Sequence, residues 1–270
     1  MNGYGWCMQQ GANVTNKPTS YYNMYGSDIG SHIKAGASNK NKFNWLCENM
    51  VAYTTDTTEL NYYKAYWKEY YGVDFSNYSM PQIFTAEQYV LWYYTNGISM
   101  SPGSSTTSER YKVISLANKI RDVVDKNVGN NYSWISTPQS KVSISAGSYN
   151  GATKVATFKV NNAIKLDITS GSGTIYTDSA CTKKYTNGTF IKSGTVYVKV
   201  NSGSEIQIKA TGYKTKSAYY YNCGSNQPVF TLKKQPDEKS AKLSITISGS
   251  YSINIIKKDQ TSTTAVTDPT

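Results

Sequence analysis

Two periodicities divide the chain. Between about residues 40 and 129 apolar positions recur with the 3.6-residue period of a helix; from about Val142 they alternate with polar ones, as in a strand. Phe43, Leu46, Cys47, Met50 and Val51 fall at i, i+3, i+4, i+7 and i+8, an apolar stripe on one helix face. A second helix is signalled by Asp56 with Glu59 three residues on; it runs through Leu60, Tyr63, Trp67 and Tyr70 and meets Gly72 as its stop. A third is predicted to start at Thr85, with Gln88 at the capping-box spacing and Phe84 and Tyr89 as a hydrophobic staple, and to close near Asn96 and Gly97. A fourth opens near Ser108, carries Val113, Ala117, Ile120 and Val124, and stops at Gly129.

In the second half Val142/Ile144, Val196/Val198/Val200, Ile206/Ile208 and Leu243/Ile245/Ile247 each alternate with polar neighbours. Asn187-Gly188 and Ser202-Gly203 read as turns between strands, and the stretch 235–239, with Pro236, reads as a break: a surface loop or a short linker. Ahead of the helices, residues 3–9 read as a short aromatic strand, followed by a polar, glycine-rich loop to about Ser38. There is no internal repeat. The fold class is therefore α+β, with about four helices inserted over 40–129 and packed with an antiparallel β-sandwich or barrel over about 138–248. Residues 1–248 make one domain; 249–270 either complete its sheet or begin a further domain.

Composition narrows the function classes. With 39% hydrophobic and 13% aromatic residues the chain can bury a core, so it is not a disordered segment. Tyrosine dominates the aromatics, 25 against 6 Phe and 5 Trp, which suits half-exposed strands and contact surfaces. The net charge of +11 is spread as single lysines on strand-like segments, with no arginine cluster and no nucleic-acid motif. No apolar stretch approaches a membrane span, and Met1-Asn2-Gly3 does not open a signal peptide. The expectation is a mature extracellular fragment with its targeting signals outside it, monomeric, without nucleic-acid binding or membrane insertion. Four cysteines without a C-x-x-C pair argue against zinc, and no cofactor motif is present.

The chemistry that stands out is Cys7, in Trp6-Cys7-Met8, and Gln88, in Gln88-Tyr89-Val90-Leu91-Trp92. In a dry aromatic pocket a Cys7 thiolate could attack the Gln88 carboxamide and expel ammonia, storing a thioester electrophile. The two motifs resemble those of the internal-thioester adhesin domains of Gram-positive surface proteins. These carry an aromatic-Cys-apolar start and a Gln, two residues, an apolar residue and Trp at the head of a helix. Glu87 and Val90 stand where the family often has Thr and a small residue, and Trp6 replaces a Tyr, so the match is to a looser form of the motifs. The resemblance covers residues 1 to about 248. It implies that Cys7 supplies the sulfur and Gln88 the acyl group of a bond that captures a lysine amine of a host surface or matrix protein. The capture leaves an isopeptide bond on Gln88 and a free Cys7 thiol. Such a domain acts once and is not a turnover enzyme; it belongs on a Gram-positive cell wall, with signal peptide and anchor outside the fragment.

Tyr4, Trp6, Tyr89 and Trp92 are suitable walls for that pocket. A purely structural Cys7–Gln88 bond would close a loop of about 80 residues, worth on the order of 4 to 5 kcal/mol. Without any bond, Gln88 is a helix cap and the chain is a non-covalent extracellular binding module; a Cys7/His32 transpeptidase or protease is a third reading. His32, the only histidine, is a candidate base or else a surface residue. Cys181 and Cys223 either pair as a disulfide across a loop of about 43 residues, worth roughly 4 kcal/mol, or stay reduced. Cys47 lies within the helical stripe as a small buried hydrophobe. Lys257 resembles the cross-linking lysine of B-type repeats of collagen-binding surface proteins, and otherwise reads as an edge-strand lysine.

Overall fold

The computed structural model describes residues 5–10, 18–33, 36–223 and 228–245. Tyr4, Ile247, Lys257 and the segment 249–270 lie outside them. The described chain starts with two short strands, β1 (Gly5–Cys7) and β2 (Ser20–Asn23), then runs through five helices. These are α1 (Ile29–His32), α2 (Gly36–Asn49), α3 (Thr57–Tyr71), α4 (Met80–Asn96) and α5 (Glu109–Asn127). Strands β3 (Ser143–Asn150), β4 (Val155–Ala163), β5 (Lys165–Tyr176), β6 (Ile191–Asn222) and β7 (Val229–Ser244) follow.

The helix ends obey local chemistry. Asp56 caps α3 by accepting from the amides of Thr58 and Glu59, and Gly72 closes it at φ 70°, a left-handed conformation that glycine adopts without penalty. Ser108 caps α5 by accepting from Tyr111 N. The start of α4 differs from the sequence expectation. Ser79 and Gln82 form its capping box and Pro81 sits in the first turn, where a missing amide donor costs nothing. Thr85, read as the cap, lies a turn and a half inside, its Oγ1 donating to Pro81 O at 2.8 Å. The Ser-x-x-Gln spacing at 79–82 repeats as Thr-x-x-Gln at 85–88, and the earlier copy, backed by the proline, starts the helix. Gln88 is thus released from any capping duty, and the Phe84–Tyr89 staple has no helix start to fix.

All seven strands belong to one antiparallel sheet in the order β1-β7-β6-β4-β3, with β2 and β5 also pairing on β6. Residues 202 and 203 do not separate two strands: they bend one continuous 32-residue strand, β6. Gly203 (φ 115°) faces Gly171 (φ 76°) across the bend, where a Cβ on Gly171 would meet Glu205 O at 2.3 Å. Two glycines let the backbones cross there. The predicted break at 235–239 is likewise strand, with Pro236 paired to Tyr213 and Asp237 buried. Asp237 accepts from Ser140 Oγ at 2.7 Å, Lys141 N at 3.2 Å and Val142 N at 3.3 Å, fastening the segment that enters β3. A proline-containing charged run stays in the sheet because its aspartate satisfies buried donors.

The long strands serve two cores. One, around Phe158, Val198, Ile206 and Ile208, lies within β3–β7. The other packs α1–α5 against β1 and the adjoining ends of β6 and β7, with Trp6, Trp67, Tyr62 and Phe230 fully buried. Among the described residues no helix is long and apolar enough to cross a membrane.

Candidate functional site

β1 is only three residues long, yet it is the inner rail of the second core. It pairs with β7 through Gly5↔Thr231, Trp6↔Phe230 and Cys7↔Val229, and Met8 N extends the ladder to Pro228 O at 2.9 Å. Gly5 is needed for this approach: a Cβ there would lie 2.6 Å from Val229 Cγ1 and 3.1 Å from Phe230 O. Strand alternation then turns Trp6 and Met8 into the core, both fully buried, and leaves Cys7 half-buried between them.

Helix α4 is strapped along β1. Phe84, Gln88 and Asn96 lie four or eight residues apart, on one helix face. Phe84 O accepts from Trp6 Nε1 at 3.3 Å, and its ring stacks on the indole with centroids 4.7 Å apart. Phe230 also stacks on the indole, at 5.3 Å. Asn96 Nδ2 donates to Met8 O at 3.3 Å. Between these anchors the Gln88 carboxamide meets Cys7 in both senses: Cys7 N donates to Oε1 at 2.7 Å, and Nε2 donates to Cys7 O at 2.5 Å. Residues 81 positions apart in sequence form a closed amide–amide pair.

This arrangement has chemical direction. A backbone N–H aimed at the side-chain carbonyl oxygen polarises it and is placed to hold negative charge there. Burial pushes the Cys7 thiol above its ordinary value, so the free thiolate is scarce and the sulfur must lose its proton as it reacts. Aromatic rings accumulate along α4: Tyr53 packs edge-on to Phe84 at 5.5 Å and Tyr89 edge-on to Trp92 at 5.8 Å. Trp92 Nε1 is buried without a hydrogen-bond partner.

Of the predicted site residues, Cys7, Gln88, Trp6 and Trp92 are gathered on β1 and α4; His32 is not. It stacks on Tyr22 at 3.7 Å and its Nε2 lies 3.2 Å from Asp28 Oδ2. Trp6, Phe230, Tyr220 and Tyr22 form one row across four strands, so the histidine belongs to the far end of that row, about 14 Å away at strand spacing. Among the described residues its side-chain partners are Tyr22 and Asp28, and neither touches the Cys7–Gln88 pair. Cys181 and Cys223 are both free thiols and are not brought together. Cys181 sits in the turn beyond β5, whose end pairs Tyr176 with Tyr197; Cys223 follows 26 positions along from Tyr197 (223 − 197), past the other end of β6. At about 3.3 Å per strand residue this far exceeds the reach of a disulfide. Cys47 is fully buried, as its stripe implies. Among the described residues no group of three His, Cys, Asp or Glu could hold a metal ion.

Sequence reasoning overlooked Phe84, Asn96, Gly5 and Phe230 as parts of the site. The four-residue spacing of Phe84, Gln88, Trp92 and Asn96 was the available signal for the first two.

No protein-family model matches this chain, and no curated protein matches it. Among solved structures it is similar to the thioester domain of the Enterococcus faecium TIE86 protein, at 15% identity and a TM-score of 0.32 over 92% of this chain and 98% of that one. It is also similar to the Bacillus anthracis TIE protein, at 13% identity and a TM-score of 0.30, over 87% of this chain and 40% of that longer one.

Proposed function

We propose that this chain is the reactive domain of a Gram-positive surface adhesin, in which Cys7 and Gln88 condense to an internal thioester that captures a host amine. The observation that carries this reading is the closed pair between the Gln88 carboxamide and the Cys7 backbone, with both bonds at 2.7 Å or less. In the condensation Cys7 Sγ attacks Cδ of Gln88, the oxygen takes up charge against Cys7 N–H, and the Cδ–Nε2 bond breaks. The thiol proton leaves with the nitrogen as ammonia. In capture, a lysine amine attacks the same carbonyl, an amide forms, and the proton it sheds restores the Cys7 thiol. No cofactor enters either step. The half-buried position of Cys7, between buried Trp6 and Met8, supports this function, since water is restricted while one side remains open to an incoming amine. Each molecule reacts once.

Intact mass is the test. The purified protein should fall one ammonia further below its sequence mass than the Cys7→Ala variant does, add methylamine, and then show one more titratable thiol. A mass deficit no larger than that of Cys7→Ala, with every thiol titratable and nothing captured, refutes the proposal.

A second reading, a non-covalent binding module, draws on an exposed aromatic surface. Tyr21 is 67% exposed, and its ring lies 5.8 Å from Tyr219 and 6.0 Å from Tyr221. On that reading Tyr21→Ala abolishes host binding while Gln88→Ala leaves it intact.

A further inference from the structure

A second nucleophile faces a second carboxamide at the C-terminal end of α2. Asn49, the last residue of α2, is 4% exposed. Its Oδ1 accepts from Lys141 Nζ at 2.8 Å and from Tyr71 OH at 3.0 Å. Its Nδ2 is held by Trp45 O at 2.8 Å, and its backbone carbonyl by Trp67 Nε1 at 2.7 Å. The carboxamide is therefore fixed on all sides, and the Tyr71 hydroxyl donates to the oxygen that would carry charge if Lys141 attacked the carbonyl.

Lys141 approaches from the segment leading into β3. Its Nζ lies 4.5 Å from the Tyr66 ring centre and 3.2 Å from Glu48 O. Neither of its hydrogen-bond acceptors is a carboxylate; the Glu48 carboxylate acts on it only through space, and its favourable charge is outweighed by burial. Burial, with the nearby Lys234 charge adding to it, holds the amine at about 7, far below a solvated lysine. A substantial share of the amine is thus neutral and nucleophilic at neutral pH. A neutral amine touching a polarised, water-shielded carboxamide is chemically parallel to a thiol touching one.

We infer that Lys141 and Asn49 form an intramolecular cross-linking site, in which the lysine amine displaces ammonia from the asparagine side chain and leaves a buried isopeptide bond. Nζ attacks Cγ, a C–N bond forms, and Oδ1 takes up the charge against the Tyr71 hydroxyl. The Cγ–Nδ2 bond then breaks, and the proton shed by Nζ leaves on Nδ2, so one ammonia departs and nothing is oxidised or reduced. The bond ties the end of α2 to the entry of β3, joining the helical layer to the sheet. Its formation does not depend on the Cys7–Gln88 chemistry.

That independence sets the experiment. The Cys7→Ala protein, which cannot form a thioester, should still weigh one ammonia less than its sequence, and methylamine should not change that mass. Digestion should yield one branched peptide containing Lys141 and Asn49. Lys141→Arg in the same background should restore the full sequence mass. Asn49→Asp should form the identical branched product with loss of water, which keeps the test informative if the arginine variant fails to fold. Full sequence mass in Cys7→Ala, with Lys141 and Asn49 recovered on separate peptides, overturns the inference, whatever becomes of the thioester.

Discussion

The Trp6 indole is bound to Phe84 twice: its Nε1 donates to Phe84 O at 3.3 Å, and its ring stacks on the Phe84 ring at 4.7 Å. The residue before Cys7 is thereby tied to the helical residue one turn before Gln88, whose own amide the α-helical ladder also directs to Phe84 O. Removing the two ties separately should give separate effects. Trp6→Phe keeps a stacked ring but loses the N–H, and should cost about 1 kcal/mol. Trp6→Ala empties a fully buried site and should cost about 3 to 5 kcal/mol. Urea denaturation measures both, and intact mass should show incomplete ammonia loss in the alanine variant. An alanine variant as stable and as fully condensed as the parent would show that this clamp does not position the pair.

Gly5→Ala tests the strand side of the same alignment. The added methyl would lie 2.6 Å from Val229 Cγ1 and 3.1 Å from Phe230 O, so β1 must move away from β7. Overpacking of this kind costs about 1 to 3 kcal/mol. Because β1 carries Cys7, the ammonia-deficient fraction should fall together with the melting temperature. Gly5→Ala with unchanged mass deficit would mean that β1 can shift without losing Gln88.

The two cysteines beside the helices should respond oppositely. Cys7→Ala should abolish the thioester and amine capture, whereas Cys47→Ala should retain both. Cys47 is fully buried, with its carbonyl accepting from Thr215 Oγ1 at 2.6 Å and Lys234 Nζ at 3.0 Å, and burial pushes its thiol far up. Gln88→Glu should also block capture, since a carboxylate cannot donate to Cys7 O and so loses one of the two bonds that orient the group. Methylamine uptake by mass spectrometry reads all three. Uptake lost in Cys47→Ala and kept in Cys7→Ala would reassign the sulfur.

Much of this was legible in the residues. Helices α3 and α5 follow from Asp56, Gly72 and Ser108, whose side chains or backbone freedom act within a few positions. Cys7 and Gln88 were identifiable by motif, but their meeting needs β7 and β6 to carry β1 onto α4, a relationship between segments that no local pattern encodes. The start of α4 was misplaced because two Ser/Thr-x-x-Gln spacings lie six residues apart, and only Pro81 distinguishes them. The stretch 235–239 looked like a loop because its composition is polar; Asp237 stays in the strand by satisfying donors from 140–142, which lie about a hundred positions earlier. Whether Cys181 and Cys223 pair or stay reduced was open in the sequence for the same reason: they are free thiols here, held apart by the length of β6.

The buried charges at the centre predict an unusual stability profile. Burial raises the Glu59 carboxyl from 4.5 to about 7, with Lys234 opposing and Asp56 assisting, and raises the Glu87 carboxyl well above its ordinary value. Folded Glu59 therefore binds its proton more tightly than the unfolded chain does. Its contribution is complete below 4.5 and is lost as pH rises through about 7. Lys234 moves the other way: burial lowers it from 10.5 to about 8, so its contribution is complete above 10.5 and is lost as pH falls through about 8. Between these windows both penalties apply. The melting temperature should fall from about pH 5 to 7, pass a minimum between about 7 and 8, and rise again toward about pH 9.5. Glu59→Gln should chiefly flatten the acid limb and Lys234→Met chiefly the alkaline limb, each also removing a charge that opposes the other group's shift. Calorimetry across that range checks the sign, and a single maximum near neutrality would show that these groups are solvated or paired in the folded protein.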